Sequence, residues 1–181
     1  MSEPTYKALL TEAMIQLGSE DRVRFIGYDM IPSAGSQGGT LNGVPLEKRI
    51  EMPLAESLMA SAAVGMSLGG FLPVLVFERF DFIFRALDPL VLHLDKLAVL
   101  SQGLHRPACI IRVAIGNRTT PMFAGPTHTE DLTVAMRDML SFRVTKLMWK
   151  ASILNEYAHA LSDLKMNKST MLIEDLDLYG T

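Results

Sequence analysis

Residues 49–88 read RIEMPLAESLMASAAVGMSLGGFLPVLVFERFDFIFRALD, and this stretch decides the fold. A lone carboxylate, Glu56, opens a helix predicted over Leu54 to Leu68 and built almost wholly of small and apolar residues. A short strand, Pro73 to Phe77, comes next, and four phenylalanines, Phe77, Phe80, Phe82 and Phe84, close it. An apolar helix running into an apolar strand and then into a further helical pattern is the rhythm of a parallel sheet, whose strands need crossover helices between them. An acid set against an apolar aromatic slot is also what a protein needs to hold a flat heteroaromatic group and share a proton with it.

The same rhythm extends both ways. Tyr6 to Leu17 carries apolar residues at Leu9, Leu10, Ala13, Met14 and Leu17, a helical stripe that Gly18 ends. Val23 to Tyr28 reads as a buried strand, and residues 31–45, rich in Gly, Ser and Asn, read as a long loop. Phe82 to Leu100 is predicted as one long helix, with Ile83, Leu87, Leu90, Val91, Leu94 and Leu97 on one face. Ala108 to Ile115 is a strand and Gly116 to Thr127 a loop; Asp131 to Met139 is a helix, Arg143 to Leu147 a strand, Ile153 to Leu164 a helix and Thr170 to Glu174 the last strand. Strands apolar on both faces and alternating with helices predict an α/β fold, a mainly parallel sheet with helices on both faces. Neither a repeat nor a linker is visible, so residues 1–181 are expected to form a single domain.

Composition narrows the function classes. A net charge of -3, without a basic stripe, argues against nucleic acid as partner. The longest apolar run, Leu68 to Phe77, holds two glycines and Pro73 and falls short of the ~20 residues that a membrane helix needs. The opening MSEPTYK lacks a signal-peptide pattern, and a single cysteine, Cys109, excludes an intrachain disulfide, so a cytoplasmic protein is expected. Without His-x-x-x-His or Cys-x-x-Cys no metal site is expected, and His93, His105 and His159 have no partner spacing.

Taken in order, several segments resemble the pyrimidine-binding domain of thiamine diphosphate enzymes, in particular the N-terminal half of the beta subunit of 2-oxo acid dehydrogenases (pyruvate, branched-chain or acetoin type). RVRFIGYDM is similar to that family's first strand and acidic turn, RIEMPLAES to its Arg-Ile-(x)2-Pro-(x)2-Glu signature, and AVGMSLGGFLPV to its Ala-Val-Gly-(x)3-Ala-Gly-x-x-Pro run. FERFDFIFRALD follows its Phe-x-x-Phe-x-Phe-(x)4-Ile-Asp pattern, THTED sits at its His-Ser-Gln, and MLIEDLDLYG resembles its closing strand and Glu-x-x-x-x-Tyr-Gly tail. Tyr28 replaces an acid of the turn, Ala55 a common Ser and Glu130 a Gln, while Glu78 and Arg79 put charges where the family has uncharged residues.

The resemblance implies a site. Glu56 matches the glutamate that bonds to the pyrimidine ring and prompts the cofactor to shed its thiazolium proton; Pro53, Leu54, Leu58 and Met59 are expected to keep water from it. Phe77 and Phe80 match the aromatic wall, Phe80 as stacker and Phe77 as floor, with Phe82 and Phe84 as packing. His128 matches a histidine at the mouth of the site that handles the substrate carboxylate or the acyl acceptor, and Asp29 is a further cofactor-side candidate. Asp88 and Lys96 match family positions, and ion pairs are expected of both.

The family holds the diphosphate and Mg2+ with Gly-Asp-Gly followed by Asn-Asn, in a separate domain, and this sequence has no Gly-Asp-Gly. Neither a diphosphate-binding domain nor a C-terminal domain is expected here. The expectation is therefore a stand-alone pyrimidine-binding subunit acting on a small 2-oxo acid, active only with an alpha-type partner chain that holds the diphosphate and Mg2+. Self-association into a dimer is expected through the helix Leu54 to Gly70, whose Ala60, Ala63 and Gly65 would allow close approach. Two alternatives stand beside it. One is a non-catalytic assembly or regulatory subunit that keeps the fold. The other is half of a split transketolase-like enzyme, a family that resembles Gly-Ile-x-Glu-Gln where this chain has Pro-Leu-Ala-Glu-Ser.

Overall fold

The computed structural model describes residues 3–31, 36–119 and 125–181. Six strands form one sheet, every pairing parallel, in the order β2-β1-β3-β4-β6-β5. They are β1 (Val23–Gly27), β2 (Arg49–Glu51), β3 (Leu72–Phe77), β4 (Ile110–Ile115), β5 (Arg143–Lys146) and β6 (Thr170–Asp175). The helices are α1 (Tyr6–Gly18), the single turn α2 (Ser36–Gly39), α3 (Glu56–Leu68), α4 (Leu97–Leu100), α5 (Thr133–Met139) and α6 (Ile153–Lys165).

β3, β4 and β6 are buried along their whole length, because helices cover the sheet on both sides. On one face α1 and α6 bring Leu10, Met14, Leu17, Tyr157 and Leu164 against Val74, Ile110 and Leu172. On the other, α3 and the segment after β3 bring Met59, Ala60, Ala63, Phe80 and Ile83 against Leu75, Ile111, Val113 and Ile173. Among the described residues, no helix is long and apolar enough to cross a membrane.

Three elements differ from the sequence reading. Within residues 31–45, read as a loop, residues 36–39 form the single turn α2, while 32–35 lie outside the described residues. β2 is a sixth strand, three residues pairing Arg49, Ile50 and Glu51 with Phe25, Ile26 and Gly27 of β1. Its two charged residues around one isoleucine carry no strand pattern of their own. The region predicted as one helix over Phe82 to Leu100 is three pieces: a 3-10 helix over Phe80–Ala86, a π-helix over Asp88–Leu94 and the short α4. Pro89 at the start of the π-helix has no N–H to continue a ladder, and the Asp95 amide bonds back to the Leu90 carbonyl.

The strand order places a topological switch between β1 and β3: from β1 the chain steps out to β2, then crosses through α3 to β3. Ligands of open α/β sheets collect at the carboxyl ends of strands beside such a point. The residues there are Asp29 after β1, Glu51 at the end of β2, the opening of α3, and Glu78 to Ala86 after β3.

Candidate functional site

α3 buries Glu56, Met59, Ala60, Ala63 and Val64, a single stripe at helical spacing. Glu56 is thus held on the inward side of the helix, only 5% exposed. Its expected apolar cover is different from the one observed: Leu54 and Leu58 are exposed, and the burial comes from the stripe itself and from the 3-10 segment packed across α3. Among the described residues its carboxylate accepts no hydrogen bond, and its one charged neighbour is Arg85, whose Nε lies 3.6 Å from Oε2. That separation is an ion contact, longer than a hydrogen bond. Leu54, Ala55, Glu56, Ser57 and Arg85 line a cleft of about 440 Å3.

The 3-10 segment explains what its phenylalanines do. At three residues per turn, Phe80, Ile83 and Ala86 fall on one side, and all three are wholly buried. Phe77 and Phe80, expected as floor and stacker, both lie in the core. Phe84, expected as packing, is 55% exposed. Phe82 is half-buried and meets the His128 ring edge-on, centroids 5.3 Å apart. The signal that identifies the open rings is the period: residues at 80, 83 and 86 point inward, those at 82, 84 and 85 outward.

His128 stands where the chain crosses the end of β4. A Cβ on Gly116 would lie 2.1 Å from the His128 carbonyl oxygen, so only glycine permits the crossing. The imidazole Nδ1 shares a 3.0 Å hydrogen bond with the Thr127 hydroxyl. Asp81, which the sequence reading passed over, ties this loop down: its Oδ1 accepts the Glu130 amide at 3.3 Å, while its buried Oδ2 has no partner among the described residues. Phe82 at His128 and Arg85 at Glu56 are one 3-10 turn apart, about 6 Å along the axis.

Asp29 belongs to a neighbouring group. It adopts a left-handed conformation, φ 60°, and its amide donates to Glu51 Oε1 at 2.7 Å. The amides of Met30 and Ile31 donate to Glu51 Oε2, so a single carboxylate satisfies three consecutive N–H groups. Burial pushes the Glu78 carboxyl above its ordinary range; Arg79 opposes this, and Asp29 and Glu51 add to it. Lys96 pairs with the adjacent Asp95, as expected of it, whereas Asp88 forms no ion pair among the described residues. The small residues expected at a dimer seam divide: Ala60 and Ala63 face the protein's own sheet, and Gly65 lies on the outer face.

Residues 2–130 match the family described as "Transketolase, pyrimidine binding domain". The pyruvate dehydrogenase E1 component subunit beta of Bacillus subtilis (strain 168) is 26% identical over 140 residues, covering 73% of this chain and 39% of that protein. The 3-methyl-2-oxobutanoate dehydrogenase subunit beta of Mycobacterium tuberculosis (strain ATCC 25618 / H37Rv) is 30% identical over 90 residues, covering 48% and 26%. The chain thus spans well under half the length of these curated relatives. Among solved structures, a split gene transketolase, an inactive beta4 tetramer, superposes with a TM-score of 0.72 at 15% identity, covering 99% of this chain and 53% of that one, a likeness of fold. A family match over most of the chain, on a parallel sheet of this order with an acid at the opening of α3, supports one conclusion: the chain belongs to the transketolase pyrimidine-binding domain family of thiamine diphosphate-dependent enzymes.

Proposed function

We propose that this chain is the pyrimidine-binding, beta-type half of a thiamine diphosphate site that acts on a small 2-oxo acid. The observation that carries the reading is Glu56: an almost fully buried carboxylate that accepts no hydrogen bond among the described residues and opens on a cleft. A buried charge left without donors is costly, and a ligand that brings a donor relieves the cost. The pyrimidine ring nitrogen, when it carries the proton that it shares with the carboxyl, is such a partner, so the residues present fit that end of the cofactor. Bound thiamine diphosphate would supply the thiazolium that serves as electron sink for decarboxylation and acyl transfer.

The chain's own contribution is to orient and to move protons. Glu56 would share a proton with the ring nitrogen from a site that excludes water. Phe82 offers a partly open ring beside His128, with Phe77 and Phe80 as the rigid floor below. His128, held by the Gly116 crossing and the Asp81 bond, would meet the substrate carboxylate or the acyl acceptor. Asp29 is a weaker cofactor-side candidate, because its turn is already satisfied by Glu51. The diphosphate and Mg2+ belong in this reading to an alpha-type partner chain, since the sequence has no Gly-Asp-Gly. A dimer of the chain would use the outer face of α3, where Leu58, Gly65 and Leu68 are exposed.

Affinity capture of the chain from its native host, with thiamine diphosphate and magnesium present, tests this. Recovery of a chain bearing Gly-Asp-Gly and Asn-Asn, with 2-oxo acid turnover that Glu56→Gln abolishes, is the expected result. Turnover of a ketose in place of a 2-oxo acid would favour the split transketolase reading, whose fold the chain shares. Recovery of self-copies alone, with no cofactor retained, would overturn the catalytic reading. It would favour a non-catalytic assembly subunit, toward which the Arg85 contact on Glu56 already leans.

A further inference from the structure

Arg85 is the one charged side chain besides Glu56 that lines the cleft, and no carboxylate other than Glu56 lies within 4 Å of it among the described residues. Its side chain is 78% exposed and that of Glu56 only 6%. The pair is therefore lopsided: an exposed cation leans on a buried carboxylate without donating a hydrogen bond to it. We propose that Arg85 is a specificity-determining residue of the cleft, a built-in competitor for the Glu56 carboxylate that any ligand must displace. This rests on the reading of Glu56 given above.

The geometry limits what can displace it. A guanidinium 3.6 Å away leaves the acceptor positions on the carboxylate unused, so a ligand that brings an N–H donor to hydrogen-bond distance, on an exocyclic amino group or a protonated ring nitrogen, offers Glu56 more than Arg85 does. A ligand that presents only acceptors, such as a free carboxylate or phosphate, gains nothing from Glu56 and leaves the pair closed. Arg85 itself loses little on release, since most of its side chain is already in water. The selected class is thus flat nitrogen heterocycles with a donor edge, and the penalty each pays is the exposed end of one ion pair, a factor of about two to five in affinity.

The test uses the full-length chain and a neutral probe, 4-amino-5-hydroxymethyl-2-methylpyrimidine, titrated calorimetrically at about pH 8, where the probe carries no charge. Arg85→Gln is expected to bind the probe about threefold more tightly than the native chain. Raising ionic strength from about 0.02 M to about 0.5 M should tighten binding to the native chain and to Arg85→Lys, because the exposed cation is screened, and leave Arg85→Gln unchanged. Glu56→Gln should lose the probe in both backgrounds. Equal or weaker binding by Arg85→Gln, with Glu56→Gln still inactive, overturns the competitor role and leaves the Glu56 reading standing. Binding that survives Glu56→Gln, or absent from every variant, overturns both. Arg85 lies on the surface, so an unchanged melting temperature for its variants shows that the fold is not what moved.

Discussion

The guanidinium of Arg112 and the carboxylate of Glu174 meet in two parallel bonds, Nε to Oε1 at 2.6 Å and Nη2 to Oε2 at 2.8 Å, with both side chains wholly excluded from solvent. The Tyr157 and Tyr179 hydroxyls donate to the same carboxylate, and Arg112 also donates to Thr40 at 2.7 Å. β4, β6, α6, the segment after α2 and the closing turn of the chain are thereby joined at one point.

Removing one partner strands the rest. Glu174→Ala leaves a buried cation without its counter-charge and the two tyrosine hydroxyls without this acceptor, and should cost about 3–5 kcal/mol in urea denaturation. Replacing the pair together by Arg112→Met and Glu174→Leu should cost less than Glu174→Ala alone, since no charge is then left uncompensated. A double variant less stable than the single one would contradict this.

The 3-10 period makes opposite predictions for two rings four residues apart. Phe80→Ala should lose about 3–5 kcal/mol, because it opens a cavity in the core. Phe84→Ala should change stability by no more than about 0.5 kcal/mol. Equal effects in thermal denaturation would show that the segment is a continuous α-helix after all.

Gly116→Ala should be among the more damaging small substitutions. Its methyl group must push the His128 carbonyl away, at an overpacking cost of about 1–3 kcal/mol, and the His128 imidazole resonances should shift with it. Unshifted resonances would mean that the crossing does not hold His128.

Acid should act through opposed groups. Burial works to raise the Asp131 and Asp177 carboxyls, but hydrogen bonds from Thr133 and Lys146 to the first, and from Thr119 and Arg118 to the second, hold both below their ordinary range. Their stabilisation is complete above the unfolded value, about 4, and is lost as pH falls through the folded values. Glu78, raised chiefly by burial, works the other way: its folded form prefers the proton, so stability falls as pH rises from the unfolded value, about 4, through the folded value, and the loss is complete above it. Glu78→Gln should therefore raise the urea midpoint at pH 7 and leave it nearly unchanged at about pH 3, where the native side chain is already protonated. A lower midpoint at pH 7 would reverse the sign assigned here.

The framework was readable because it is written in short periods. β3, β4 and β6 are continuous apolar runs, and Glu56 stands three and four residues before Met59 and Ala60, on a stripe visible in the letters. What escaped depends on partners distant in sequence. β2 is a strand only because β1 lies beside it. Arg112 and Glu174 are 62 positions apart, and nothing local marks them as a pair. Phe80 and Phe82 differ in role because the backbone turns every three residues there, whereas an α-helical period assigns them differently. Arg85, the nearest charge to Glu56, reads in sequence as an ordinary surface cation.

Glu56 has one more consequence, for heat resistance and not for chemistry. Every other buried position on the inner stripe of α3 is apolar, and a hydrocarbon side chain at 56 would complete it without a dehydrated charge. Glu56→Leu should then melt at a higher temperature than the native chain, while losing any ligand that needs the carboxylate. The protein is less robust than its own architecture allows, and the shortfall sits in a single side chain.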